Sequence, residues 1–335
     1  VSGFPIALAL GVFGAALCNA AAAKTVRFDA ADHVLTSPMA INASQWIVGD
    51  DLDWVNGVMH AFLRSPGGEI TSIDVDGSTC GTFASGMNRR GAIVGHSCIG
   101  DRNAQGFLRS HDGALTTITV PGAVSTTAYS INNAGLITGS YWDADGVSHG
   151  YVRATDGAIT EFDPSGSTST YAGYINKAGA IAGDYLDESG VGHGFLRAPD
   201  GTFTTFDAPV PGASIVGVVG LNDRDEVVFY VANDSEYNSF LRRTDGTVVK
   251  IGIGPGYFAT AINNKGVVVG YYADELSIHG FIRRTNGAIR LFDLKFAVNT
   301  LPFTINDRGD IAGEYEDNRP GEVLYTHGFG ILHKD

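Results

Sequence analysis

Basic residues are in short supply: 22 lysines and arginines face 36 aspartates and glutamates, for a formal charge of −14 and a pI near 4.9. A chain without a basic stripe cannot neutralise phosphates, so nucleic acid is not expected as a partner, and the acidic excess chiefly confers solubility. No segment carries helical periodicity long enough to compete with short strands. Long apolar runs are few, and 45 glycines interrupt a sequence that is 44% hydrophobic, the composition of a turn-rich all-β protein. Cysteine is nearly absent: of three, Cys18 falls in an N-terminal leader, leaving Cys80 and Cys98. No G-x-S-x-G, H-E-x-x-H or phosphate-cradling glycine loop occurs.

What is present is a repeat. Its clearest copy runs from Thr170 to Pro209 and reads as four short strands: Tyr171 to Asn176, Ala180 to Tyr185, His193 to Arg197 and Thr202 to Asp207. Turn residues separate them, Asn176-Lys177-Ala178-Gly179 first among them. The turn-opening asparagine recurs as Asn42, Asn88, Asn132, Asn176, Asn222, Asn263 and Asn306, at intervals of 46, 44, 44, 46, 41 and 43 residues by subtraction. Seven anchors at that period predict a seven-bladed β-propeller with four antiparallel strands per blade.

Residues 1–23 have the apolar run and the small-residue ending of a signal peptide, which leaves 24–335 as a single propeller domain, exported to the periplasm or secreted, with no membrane attachment after cleavage. Thr25-Val26-Arg27-Phe28-Asp29 matches the fourth strand of other units, such as Thr204-Thr205-Phe206-Asp207. The last unit lacks a fourth strand of its own, so the N-terminal segment is expected to complete it and close the ring. Cys80 and Cys98 flank the Asn88 turn within one residue of cross-strand register, and in an oxidising compartment a disulfide between them is expected.

The third strands open on a second recurring signature: His60-Ala61-Phe62-Leu63, His149-Gly150-Tyr151, His193-Gly194-Phe195-Leu196, His279-Gly280-Phe281 and His327-Gly328-Phe329, with Gly106-Phe107-Leu108 as a variant. These copies resemble the probable extracellular repeats of the HAF family. The resemblance spans every unit and implies an exported repeat protein, with no common activity attached to it.

Gln105 and Asn238 stand where the other units have histidine, and both side chains imitate a neutral imidazole as hydrogen-bonding groups. His60, His149, His193, His279 and His327 are therefore read as structural, bonded to a turn or to a fourth-strand aspartate; spread around a ring, they are too far apart to share one metal. Asp143-Ala144-Asp145-Gly146 and Asp187-Glu188-Ser189-Gly190 resemble the start of calcium loops but lack the bidentate carboxylate that should follow, so a capped hairpin turn is the favoured reading. No cofactor is expected, calcium being the one candidate.

Sorting charges by loop type predicts a two-faced ring. Asp53, Asp143, Asp145, Asp187, Asp234 and Asp274 fall in loops of one face, whereas Arg89, Arg90, Lys177, Arg224, Lys265 and Arg308, with arginines ending the third strands, collect toward the other. Tyr129, Tyr171, Tyr257, Trp54 and Trp142, with serines and threonines nearby, suggest a polar pocket at the mouth. The sequence thus points to a monomeric exported binding or scaffold module, its acidic mouth offered to a cation, a saccharide or a protein. The alternative is a secreted polysaccharide lyase or hydrolase. Blade five breaks the repeat at Asp225, Glu226, Phe229 and Asn238 without assembling a nucleophile, a base and an oxyanion donor, so binding is preferred over catalysis.

Overall fold

Among the described residues, alternating apolar and polar positions, broken every few residues by a glycine turn, fold into 28 strands and no helix. The structure is a computed structural model and describes residues 23–30, 35–100, 103–210, 213, 215–233, 237–252, 254–317 and 325–333. The leader assigned to 1–23 lies outside the described residues except for its final position. Among the described residues no helix is long and apolar enough to cross a membrane.

The unit read from Thr170 onward is a four-stranded antiparallel sheet of Ser167–Ile175, Ile181–Asp187, Gly192–Arg197 and Phe203–Phe206. Its first strand begins earlier than predicted because Ser167-Thr168-Ser169, read as a blade connector, already pairs with the second strand. Three further sheets have the same four-strand order. The remaining twelve strands form one sheet, so the described residues make five sheets where seven separate four-stranded ones were expected. The physical reason is local. Within the large sheet three antiparallel runs of four are joined by two single parallel pairs, Leu35 with Thr326 and Ile278 with Asn299. There the first strand of one run touches the third strand of its neighbour closely enough to share a hydrogen bond.

The N-terminal strand β1 (Lys24–Phe28) pairs antiparallel with Tyr325–Leu332 at the other end of the chain, from Lys24 opposite Leu332 to Phe28 opposite Gly328. Each first strand carries a bulge, as between Ala128 and Ser130 and between Val218 and Gly220. Opposite the bulge stands a second-strand glycine in six runs, with Phe229 in its place in the seventh; a Cβ on Gly183 would lie 1.9 Å from the Tyr171 carbonyl oxygen. The core lies between neighbouring runs, where Phe62, Tyr151, Phe195, Phe229, Phe281 and Phe329 are all but fully buried.

Cys80 and Cys98 are joined by a disulfide with Cα atoms 5.4 Å apart. Cys98 sits in the strand Ile93–Ile99, and Cys80 precedes the strand Thr82–Met87 instead of lying within it. The Cys98 amide donates to Gly81, one residue from the bonded position, as the counting from the turn required. Replacing Cys98 by Ser is expected to cost at most about 3 kcal/mol, read as a lowered melting temperature that added reductant does not lower further.

Candidate functional site

The histidine signature is a cross-strand lock. Imidazole Nδ1 lies 2.6 Å from Asp74 in His60, 2.7 Å from Asp163 in His149, 2.6 Å from Asp207 in His193, 2.8 Å from Asp293 in His279 and 2.6 Å from Asp29 in His327. The expected fourth-strand aspartate is thus the partner in all five. In four of these a second aspartate reaches the far nitrogen as well: Asp143 to His149 at 3.4 Å, Asp187 to His193 at 3.3 Å, Asp274 to His279 at 3.1 Å and Asp317 to His327 at 3.4 Å. The glycine beside the histidine makes room for the fourth-strand phenylalanine, since a Cβ on Gly194 would meet the Phe206 ring at 2.2 Å. His-Gly-Phe on one strand and Phe-Asp on the next are therefore one interlocking device.

Four of the aspartates assigned to an acidic mouth are engaged by their own turns. Asp53 accepts from Val55 and Asn56, Asp143 from Asp145 and Val147, Asp187 from Ser189 and Val191, and Asp274 from Leu276 and Ser277, each through Oδ1 and each within its own turn. Asp145 is exposed at such a turn, and Asp234 lies outside the described residues. Among the described residues no group of three or more His, Cys, Asp or Glu side chains is disposed to hold a metal ion. The arginines ending the third strands also depart from the predicted basic field. Arg64 and Arg283 are buried, and Arg64, Arg197 and Arg242 lie over the rings of Phe28, Phe162 and Phe206. They cement neighbouring runs through cation–π contact.

The seven recurring asparagines make a closed ring that sequence reading took only for turns. Each side-chain amide donates to the backbone carbonyl of the next asparagine: Asn42 to Asn88, Asn88 to Asn132, Asn132 to Asn176, Asn176 to Asn222, Asn222 to Asn263, Asn263 to Asn306 and Asn306 back to Asn42. Below it a partial second tier links Arg89 to Asn133, Lys177 to Asp223, Asp223 to Asn264 and Asn264 to Asp307, and Arg89 pairs with Asp307 at 2.7 Å.

On the inner side of this ring lies a cavity of about 710 Å³. Its floor is made by apolar residues preceding the asparagines, Ile41, Ile131, Leu221, Ile262 and Ile305, which also border the ring itself. Its wall mixes hydroxyls of Ser37, Ser85, Ser130 and Thr260 with the aromatic rings of Tyr129, Tyr174, Tyr237, Phe258, Tyr271 and Phe303. Of the predicted mouth residues Tyr129 is in this wall and Tyr171 packs against it at 4.5 Å. Tyr257 belongs to the core, and Trp54 and Trp142 are exposed.

One recurring layer of side chains, of which Tyr271 lines the cavity, escaped the sequence reading. The residue after the second-strand glycine is Asp50, His96, Ser140, Asp184, Tyr271 and Glu314 in six runs, and Tyr230 follows Phe229 in the seventh. Burial pushes Asp50, Asp184 and Glu314 up to about 7, opposed in the two aspartates by a backbone amide and in Glu314 by the Ser37 hydroxyl. The available signal was an acid within an otherwise apolar strand.

These groups set the pH dependence of stability. Burial alone would lower His149 and His193, but hydrogen bonds to two aspartates each outweigh it and raise both; the bond to Asp293 raises His279. Stability from a raised histidine is present below its ordinary value and is lost as pH rises through the folded one. A raised carboxyl also makes the folded state bind the proton more tightly, so stability falls as pH climbs from about 4 through 7. On the acid side, amide bonds hold Asp143, Asp187 and Asp274 low, and their contribution disappears as pH falls through those depressed values. The melting temperature is expected to peak near about pH 4 and decline toward pH 8. Asp184→Asn should flatten the decline, and a melting temperature that rises toward pH 8 would refute the assignment.

No family model matches the sequence, and no curated protein does. Solved structures do. A catalytically inactive variant of virginiamycin B lyase from Staphylococcus aureus, crystallised with quinupristin, is 15% identical, with 92% of this chain and 99% of that one covered at a TM-score of 0.59. The β-propeller domain of the trilobed protease from Pyrococcus furiosus, described as having an open velcro topology, is 11% identical over 90% of this chain and 98% of that one, at 0.63. TolB from Acinetobacter baumannii is 13% identical over 73% of this chain and 62% of that one, at 0.53. What is shared at such identities is the fold. The chain is an all-β protein of propeller-like architecture.

Proposed function

We propose that this chain is an exported seven-bladed propeller of the HAF-repeat kind that binds a small polar ligand in its central cavity. The blade count takes the twelve-stranded sheet as three blades bridged edge to edge, and it is supported by the seven-membered asparagine ring. Export is supported by the disulfide, which suits an oxidising compartment. The observation that carries the binding reading is the cavity. At about 710 Å³ it falls within the range of small-molecule sites, and a few hydroxyls set among aromatic faces are what such sites use to orient a ligand.

The acidic turns are the weaker candidate, because their carboxylate oxygens are already spent on their own backbone and on histidine. A panel of saccharides and small polar compounds, screened by thermal shift and confirmed by calorimetry, tests the choice. A hit in the cavity is expected to vanish in Ser85→Trp, which fills the space, and to persist when Asp143 and Asp187 are both changed to Lys. The reverse pattern would move the site to the acidic turns. Release of shortened saccharide products would instead favour a polysaccharide lyase or hydrolase.

A further inference from the structure

The three carboxylates that share one register position are not equivalent. Asp50 accepts a hydrogen bond from the Ala84 amide at 2.7 Å, and Asp184 accepts one from the Val218 amide at 2.9 Å. Ser140 plays the same part for Ala172 at 3.1 Å. In each case the donor belongs to the first strand of the neighbouring run, at the residue beside the second-strand glycine or its replacement: Ala84 faces Gly95 and Val218 faces Phe229. For Glu314 the corresponding residue is Pro38, which faces Gly49 and has no N–H to give. Glu314 is left with the Ser37 hydroxyl, and among the described residues no lysine, arginine or histidine forms an ion pair with it. Its acidic neighbour Glu316 is engaged by the Asn299 amide at 2.6 Å and adds to the negative field.

Glu314 adjoins the cavity. Ser37, which bonds to it, and Tyr271, whose phenol is pushed up by burial and then by the Glu314 charge, both belong to the cavity wall. From Tyr271 an aromatic surface continues through Phe258, stacked on it at 5.0 Å, to Tyr237 at 4.3 Å from Phe258. A carboxylate short of donors beside a run of aromatic faces is a cation-binding arrangement. The faces exclude a hard metal ion, which needs several oxygen ligands, and favour a diffuse organic charge that lies against rings.

We infer that the central cavity takes an organic ammonium ion, with Glu314 as its counter-charge and Tyr237, Phe258 and Tyr271 as its cation–π wall. The inference rests on the cavity-binding reading above and specifies the ligand's charge. Choline is a suitable probe because its charge does not change with pH, and 3,3-dimethylbutan-1-ol is its neutral isostere. Calorimetry is expected to show choline bound and the isostere at least roughly tenfold weaker. Glu314→Gln should weaken choline by roughly tenfold, and Phe258→Leu should weaken it in a protein with unchanged circular dichroism. Affinity should rise from pH 6 to pH 8 as Glu314 ionises, and Glu314→Gln should abolish that rise. Tyr129, Tyr174, Tyr237 and Tyr271 are the other titratable groups in the cavity wall, and Glu316 adds its charge at Glu314.

Equal binding of choline and its isostere, or full choline affinity in Glu314→Gln, would overturn the inference. A neutral saccharide bound where choline is not would leave the cavity reading standing and remove the charged one. If neither choline nor any member of the neutral panel binds, both fall together.

Discussion

Deleting residues 24–29 is expected to abolish cooperative folding of this chain. β1 contributes five paired residues to the edge of Tyr325–Leu332, and its loss would leave that edge open to other chains. Phe28 fills the space above Gly328, meets Phe62 edge-on at 5.9 Å and lies under the Arg64 guanidinium at 4.8 Å. Losing this half-buried aromatic costs about 1–2 kcal/mol by area alone. Asp29 would go too, stripping the buried His327 of its 2.6 Å partner at a further cost of about 1–3 kcal/mol. Together with the five lost strand pairings these losses are a large share of an ordinary domain's stability, about 5–15 kcal/mol. Size-exclusion chromatography should show association and thermal scans should lose their sharp transition, with both restored by a synthetic peptide of residues 24–30 at stoichiometric excess. A truncated protein that melts like the parent would show that the ring does not depend on joining its ends.

Asn306→Ala is expected to give the largest loss of any single substitution in the asparagine ring. Its Oδ1 accepts from the amides of Arg308 at 2.9 Å and Asp310 at 3.0 Å, while Nδ2 donates to the Asn42 carbonyl at 2.8 Å and to Asp310 at 2.8 Å. Alanine abandons all four at a buried site, and Asp310, itself wholly buried, loses a donor. A cost of about 3 kcal/mol follows from unsatisfied buried groups, equivalent to roughly 5–10 °C in melting temperature. Asn133→Ala, one tier lower and half-buried, should cost less than a third as much. Equal effects at the two positions would mean that the turns, and not the inner ring, carry the stability. Because the Asn306 link spans the two ends of the chain, its loss should also add to the damage done by weakening β1.

Much of this was legible in residues. The Asn–Gly turns, the alternation of the strands and the Thr-Val-Arg-Phe-Asp segment foretold both the meander and the pairing of β1 with the last run. The partner of the histidines was readable because Gln105 and Asn238 at the same position left only hydrogen bonding as a shared property. The acidic mouth is weaker for an equally physical reason. Asp143, Asp187 and Asp274 were grouped by loop type, but an aspartate followed at two and four residues by free turn amides satisfies itself locally. Charge counted along the chain does not reveal which oxygens remain available.

Local order in this protein follows from short-range chemistry written along the chain: strand length, turn type, glycine positions and the recurrence of one unit. These depend on neighbours a few residues away, so one sequence suffices to state them. The asparagine ring, with links between residues 41 to 264 positions apart, the cavity above it and the singular position of Glu314 all depend on distant contacts. Whether a carboxylate finds an amide there was decided by a proline on a different strand, Pro38, and only the closed tertiary structure brings the two together.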